Sequence, residues 1–104
     1  PLEGVRGLMF FGFPLHAAGR PSSERAAHLD SVPHPMLFLQ GTRDRLADLT
    51  LLEPVCRGLG SRATLHIVAD ADHSFHVPKR GARTDAEVRD ELAARVAAWA
   101  PPRA

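Results

Sequence analysis

The sequence predicts an α/β fold in which three parallel strands carry flanking helices. Two observations lead there. Three short runs of consecutive apolar residues alternate with segments whose apolar positions recur at three- and four-residue spacing, the pattern of βαβ units. The runs are apolar on successive residues, as expected of strands covered on both faces of a parallel sheet. At 104 residues the chain has room for one domain. Leu, Ile, Val and Phe make up a quarter of it, enough to expect a core.

The first strand is expected over Val5 to Phe13, VRGLMFFGF. Gly12, Pro14, Gly19 and Pro21 then punctuate a loop, and Ser22 or Ser23 can cap a short helix over Glu24 to Leu29. Pro33 and Pro35 favour extended geometry and lead into a second strand over Met36 to Gln40, which ends at Gly41. Between Leu46 and Leu59, the residues Leu51, Leu52, Val55, Cys56 and Leu59 mark a helical face. Thr50 and Glu53 have the spacing of a capping box, and Gly58 or Gly60 lies near the C-cap. Ala63 to Ala69, with its β-branched residues, is the third strand. Thr84 and Glu87 form a second capping-box pattern and open a helix that places Val88, Leu92, Val96 and Trp99 on one stripe, until Pro101 stops it. No internal repeat, low-complexity tract or interdomain linker is visible, so residues 1–104 form a single domain.

Composition excludes several classes of function. The net charge is +1, and no run of Lys or Arg is present to displace counterions from a phosphate backbone, so nucleic acid is not an expected partner. Apolar stretches such as Leu8 to Phe11 fall far below the roughly 20 residues of a membrane helix. A membrane is not expected either. A single cysteine, Cys56, forms neither an internal disulfide nor a zinc site alone, which favours a reducing compartment and a cytoplasmic location.

Parallel strands point their carboxyl ends to one edge, where residues from successive loops converge on a crevice. The first strand ends in Gly12-Phe13-Pro14-Leu15-His16, the second in Gly41-Thr42-Arg43-Asp44, and the third in Asp70-Ala71-Asp72-His73-Ser74-Phe75. Adjacent strands lie about 4.8 Å apart, so a carboxylate at Asp44 and an imidazole at His73 come within hydrogen-bonding range. Such a pair is an oriented base. Asp48 is a competing acid, with a helix-start residue as its plainer reading. His66, inside a strand, reads as a packing or sheet-face residue. His16, after the first strand, is a candidate to line the substrate crevice, against the plain alternative of a solvated loop histidine. Asp70, Asp72, His73 and His76 have ligand chemistry, yet they crowd one loop, whereas zinc sites draw ligands from separated elements. No metal is expected. The first strand lacks the G-x-G-x-x-G of a dinucleotide site, and no cofactor is expected.

The GTRD segment after one strand and ADHSF after the next, with GFPLH after the first, resemble the C-terminal half of the α/β-hydrolase superfamily, near its dienelactone-hydrolase-like branch. The resemblance runs from about Val5 to Trp99. In that family the triad follows the order nucleophile, acid, histidine. The resemblance implies that Asp44 is the acid and His73 the histidine of a triad acting on a small-molecule acyl substrate such as an ester or lactone, with no cofactor. The nucleophile elbow, G-x-S-x-G or its cysteine variant, is absent from the 104 residues. Ser22, Ser23, Ser31, Ser61 and Ser74 lack the flanking glycines. In Gly58-Leu59-Gly60-Ser61-Arg62 the serine falls one place late, and Cys56 falls on an expected helix. The loop that would supply an oxyanion-hole amide is missing as well. With Pro1 in place of an initiator Met, the expectation is a partial domain lacking the nucleophile-elbow half, inactive alone. Its first strand, with one edge unpaired, would favour self-association or pairing with the missing N-terminal half. The alternative is a non-catalytic interaction module that retains the fold.

Overall fold

The structure, a computed structural model, describes residues 6–20 and 22–99; Val5, Pro21 and Pro101, which carry expectations above, lie outside them. Three strands, β1 (Leu8–Phe11), β2 (Met36–Gly41) and β3 (Ala63–Val68), form one parallel sheet in the order β1-β2-β3. Between β1 and β2 the chain forms a 3₁₀ helix over Glu24–Ser31, and helix α1 (Leu49–Leu59) joins β2 to β3. Helix α2 (Asp85–Trp99) follows β3.

Register explains the layers. Leu8, Met36 and Ala63 align across the sheet, as do Phe10, Phe38 and Leu65, and these rows share one face. That face carries the main core, where Met36 and Phe38 pack with Phe13, Leu15, Leu29, Leu52, Cys56 and Leu59. Phe10 sits edge-on to Phe13 at 5.2 Å between centroids and lies 4.9 Å from Phe38. Edge-on and tilted aromatic pairs add to the area term. On the opposite face Leu37 and Leu39 are fully buried, and Val68 and Ala71 form a smaller cluster with Val88 of α2. Also there, His66 Nε2 lies 2.5 Å from Glu91 Oε2, and Arg83 pairs with the same carboxylate while donating to the Ala69 carbonyl at 3.1 Å. Burial pushes the Glu91 carboxyl up, but the bonds from His66 and Arg83 outweigh it and hold it below the usual range. His66 is thus a tether between β3 and α2 as well as a sheet-face residue.

Four local expectations are corrected. The first strand is shorter than 5–13, because Gly12 adopts φ +78° and turns the chain out of the sheet. Its two faces are not both covered: Met9 and Phe11 are 45% and 53% exposed. The short helix from Glu24 is present as a 3₁₀ helix but runs past Leu29 to Ser31; Ser22, not Ser23, bonds the Glu24 amide, at 3.2 Å. Helix α1 is capped by Asp48, whose Oδ1 accepts from the Thr50 amide at 2.9 Å and its hydroxyl at 2.6 Å, so Thr50 is not the cap. The second capping box forms as expected, with Thr84 N to Glu87 Oε1 at 2.9 Å and Glu87 N to Thr84 Oγ1 at 3.2 Å. Only Val88 of the α2 stripe is fully buried, with Leu92, Val96 and Trp99 half-covered.

Candidate functional site

Asp44 follows β2 in the turn Gly41-Thr42-Arg43-Asp44, and its amide closes that turn on the Gly41 carbonyl at 3.2 Å. The turn is locked against the chain leaving β3: Thr42 N donates to Val68 O at 3.1 Å, Arg43 N to Ala71 O at 2.9 Å, and Asp70 N to Thr42 Oγ1 at 2.9 Å. Gly41 is required at this crossing. A Cβ there would lie 2.1 Å from the Ala71 carbonyl oxygen.

His73 stands on the loop after β3, whose shape comes from Asp72 and two left-handed residues, Asp70 and Phe75, each at φ 63°. Asp72 Oδ1 accepts from the amides of Ser74 and His76, both at 3.0 Å. His76 Nδ1 bonds Asp85 Oδ2 at 2.8 Å while Asp85 Oδ1 accepts from the Val77 amide at 2.9 Å, which fastens the loop to the start of α2. The bond to Asp85 raises the His76 imidazole above its ordinary pKa, and the Val77 amide, followed by His76, lowers the Asp85 carboxyl.

These loops bring His73 Nδ1 to 2.9 Å from Asp44 Oδ2. The Asp44 side chain is wholly buried while that of His73 is 39% exposed. Asp44 accepts three bonds: His73 and Gln40 Nε2 at Oδ2, the latter at 3.1 Å, and the Leu46 amide at Oδ1, at 2.8 Å. A buried carboxylate without such donors would be strongly unfavourable. His73 Nε2 has no hydrogen-bond partner among the described residues. With Nδ1–H directed at the carboxylate, Nε2 carries the free lone pair of the neutral ring. The arrangement can take a proton at Nε2 and stabilise the resulting imidazolium from the other side.

His16 is 4% exposed and is not a solvated loop histidine. Its Nε2 accepts from the Asp48 amide at 2.9 Å and Nδ1–H donates to Ala17 O at 2.8 Å. It therefore pins the turn after β1 to the start of α1. It also helps line a cleft of about 420 Å³ with Thr42, Asp44, Arg45, Asp48 and Leu49. Asp48 is occupied with capping, and the Thr50 hydroxyl and amide hold its carboxyl below the usual range. Asp72, His73 and His76 each have a protein partner, and no metal-holding group of three ligands occurs among the described residues. Cys56 is buried in the main core, and desolvation pushes its thiol up to about 11, far from a thiolate nucleophile at neutral pH.

Two residues at the site were not singled out from the sequence. Gln40 is polar at the position after Met36 and Phe38 on the core face, where alternation demands an apolar side chain, and that mismatch was the available signal. Gly12 lies directly beneath His73, and its place at the end of a strand gave no indication of this contact.

Among known proteins, no solved structure matches the chain. The family model described as an alpha/beta hydrolase domain matches residues 2–101. The match takes in all three parallel strands together with the loops that carry Asp44 and His73. The chain belongs to the alpha/beta hydrolase domain family.

Proposed function

We propose that this chain supplies the acid and histidine of a Ser(or Cys)-His-Asp triad that hydrolyses a small ester, lactone or related acyl compound, close to the dienelactone-hydrolase-like branch of the superfamily. One observation carries the reading: the 2.9 Å bond from His73 Nδ1 to the buried Asp44 carboxylate at the carboxyl edge of a parallel sheet. In the reaction His73 Nε2 takes the nucleophile's proton during attack on the acyl carbon and returns it to the leaving group. Asp44 holds the Nδ1–H tautomer and balances the imidazolium. His16, with both ring nitrogens engaged, serves as a wall of the neighbouring cleft toward the substrate.

The nucleophile and oxyanion-hole amides come, in this reading, from a segment outside these 104 residues, which form the C-terminal part of the hydrolase domain. β1 is at the end of the sheet order, where a further strand would add, and Met9 and Phe11 leave the adjoining face open. The same exposed edge favours the second reading, a non-catalytic interaction module. The three donors spent on one buried carboxylate weigh against it, because a module without chemistry gains nothing from a buried charge beside a half-exposed imidazole.

A chromogenic acetate and a fluorophosphonate probe test the proposal. The 104-residue chain alone turns over no ester above buffer and takes up no probe. A longer product of the same reading frame does both, and loses turnover with His73→Ala. A stoichiometric acyl burst from the chain alone would refute an external nucleophile. A longer product without an elbow serine or cysteine and without activity would favour the module.

A further inference from the structure

We infer that Gln40 is a positioning residue for the Asp44–His73 pair, an inference that rests on the acyl-transfer reading above. Gln40 is fully buried at the end of β2. Its Oε1 accepts the Phe13 backbone N–H at 2.5 Å. An amide N–H can meet only the oxygen end of a carboxamide, so this bond fixes the orientation of the side chain and turns Nε2 toward Asp44. Nε2 donates to Asp44 Oδ2 at 3.1 Å, the same oxygen that accepts from His73 Nδ1. The Leu46 amide holds the other oxygen at 2.8 Å.

The carboxylate is therefore fixed at both oxygens by groups other than the histidine. With Leu46 alone, Asp44 would be held at Oδ1 and free to swivel about that bond. With Gln40 present, the plane that faces the imidazole is set before the ring arrives. The far end of the amide is tied to Phe13, the neighbour of Gly12, and the His73 ring rests on Gly12. One buried amide thus gauges the acid against the backbone that supports the histidine, linking the ends of β1 and β2. Packing alone does not account for this residue: Met36 and Phe38, its neighbours on the same face, are apolar and fully buried.

Isotope-labelled chain and NMR of side-chain protons test the inference without requiring turnover. Gln40→Met retains the length and removes both hydrogen bonds. The His73 Nδ1 proton then exchanges with water severalfold faster than in the parent chain, while the backbone amides of α1 and α2 keep their protection. Equal exchange in the folded variant would overturn the positioning role. Because Gln40 is buried, the reciprocal variant His73→Ala, at a half-exposed side chain, gives a reading that leaves the core alone. The Nε2 protons of Gln40 shift when the ring no longer shares Oδ2, and unchanged resonances overturn the inference. Asp44→Asn separates the two levels. If it leaves the His73 proton untouched, the triad reading itself fails. If it exposes that proton and Gln40→Met does not, only the role of Gln40 fails.

Discussion

Gly12 forms the floor beneath His73: a Cβ on Gly12 would lie 3.0 Å from the His73 carbonyl oxygen and 3.1 Å from both Nδ1 and Cε1 of its ring. The end of β1 and the loop after β3 flank β2 on opposite sides, and they meet over its carboxyl end. Only a residue without a side chain allows the imidazole to settle there and reach Asp44.

Gly12→Ala combines two effects that a control can separate. At φ +78° an L side chain costs about 1–2 kcal/mol, and the added methyl also presses on the ring. Gly19 has φ +77° with nothing within 4 Å of a Cβ, so Gly19→Ala carries the backbone strain alone. Both variants melt at lower temperature. Only Gly12→Ala displaces the His73 ring resonances, and equal ring spectra in the two would show that the contact is unimportant.

A second pair of glycines gives opposite signs. In Gly41→Ala the methyl meets backbone at 2.1 Å, and the crossing of the two loops must open, which breaks the bonds from Thr42 and Arg43 to Val68 and Ala71. The result is a protein that unfolds in much lower urea or does not fold. Gly58 lies inside α1 with open space around it, and Gly58→Ala stabilises by up to about 1 kcal/mol through helix propensity. Urea midpoints measure both.

Signals confined to a few neighbouring residues were legible in the sequence. The Thr84–Glu87 box spans one helical turn, and the parallel sheet follows from apolar runs that alternate with helical segments. The approach of Asp44 to His73 follows from topology, since consecutive parallel strands end at the same edge. What was not legible depends on distant partners. Gln40 answers to Phe13 and His16 to the Asp48 amide, 27 and 32 positions away, and no local pattern encodes either. The exposure of Met9 and Phe11 was hidden because an apolar run reports the wish to be covered, not the presence of a cover. Asp48 and Thr50 carry similar capping signals two residues apart, and the tertiary bond from the Asp48 amide to His16 accompanies the choice of Asp48.

The histidine loop has a pH window. His76 is raised above its ordinary 6.5 by Asp85, so its contribution is complete below 6.5 and is lost as pH rises through the raised value. Asp85 is lowered below its ordinary 3.8, so its contribution is complete above 3.8 and is lost as pH falls through the lowered value. The latch is strongest between those ordinary values. Both side chains are substantially exposed, and salt weakens the ion pair. Relative to the intrinsic base-catalysed rate, the amides of residues 74–77 are better protected between pH 4 and 6 than at pH 8, and His76→Gln removes the difference. A pH-independent loop in the parent chain contradicts this assignment.

Cys56 offers a probe of core integrity. Burial pushes its thiol up to about 11, so at neutral pH it reacts with a water-soluble disulfide reagent only as fast as the core opens. Adding denaturant accelerates labelling in step with unfolding. Rapid stoichiometric labelling in buffer would place the thiol at the surface instead.

Asp44 and Asp48 are four positions apart, and a single amide substitution at each distinguishes acid from cap. In Asp44→Asn the Leu46 amide still requires an oxygen, which turns the new NH₂ toward Gln40 Nε2 and His73 Nδ1. Two donors then face a donor in a buried space. Gln40 cannot flip without losing Phe13, so the imidazole must yield, either rotating away or moving its proton to Nε2. An Nε2–H ring cannot accept a proton from a nucleophile. In an active longer product turnover falls by about 10⁴, on the precedent of serine proteases, with the fold retained. Asp48→Asn keeps an acceptor oxygen for the Thr50 amide and leaves the histidine untouched, so turnover stays near the parent level and only a slight change in melting follows. Turnover within tenfold of the parent in Asp44→Asn, or a large loss in Asp48→Asn, would move the acid role away from Asp44.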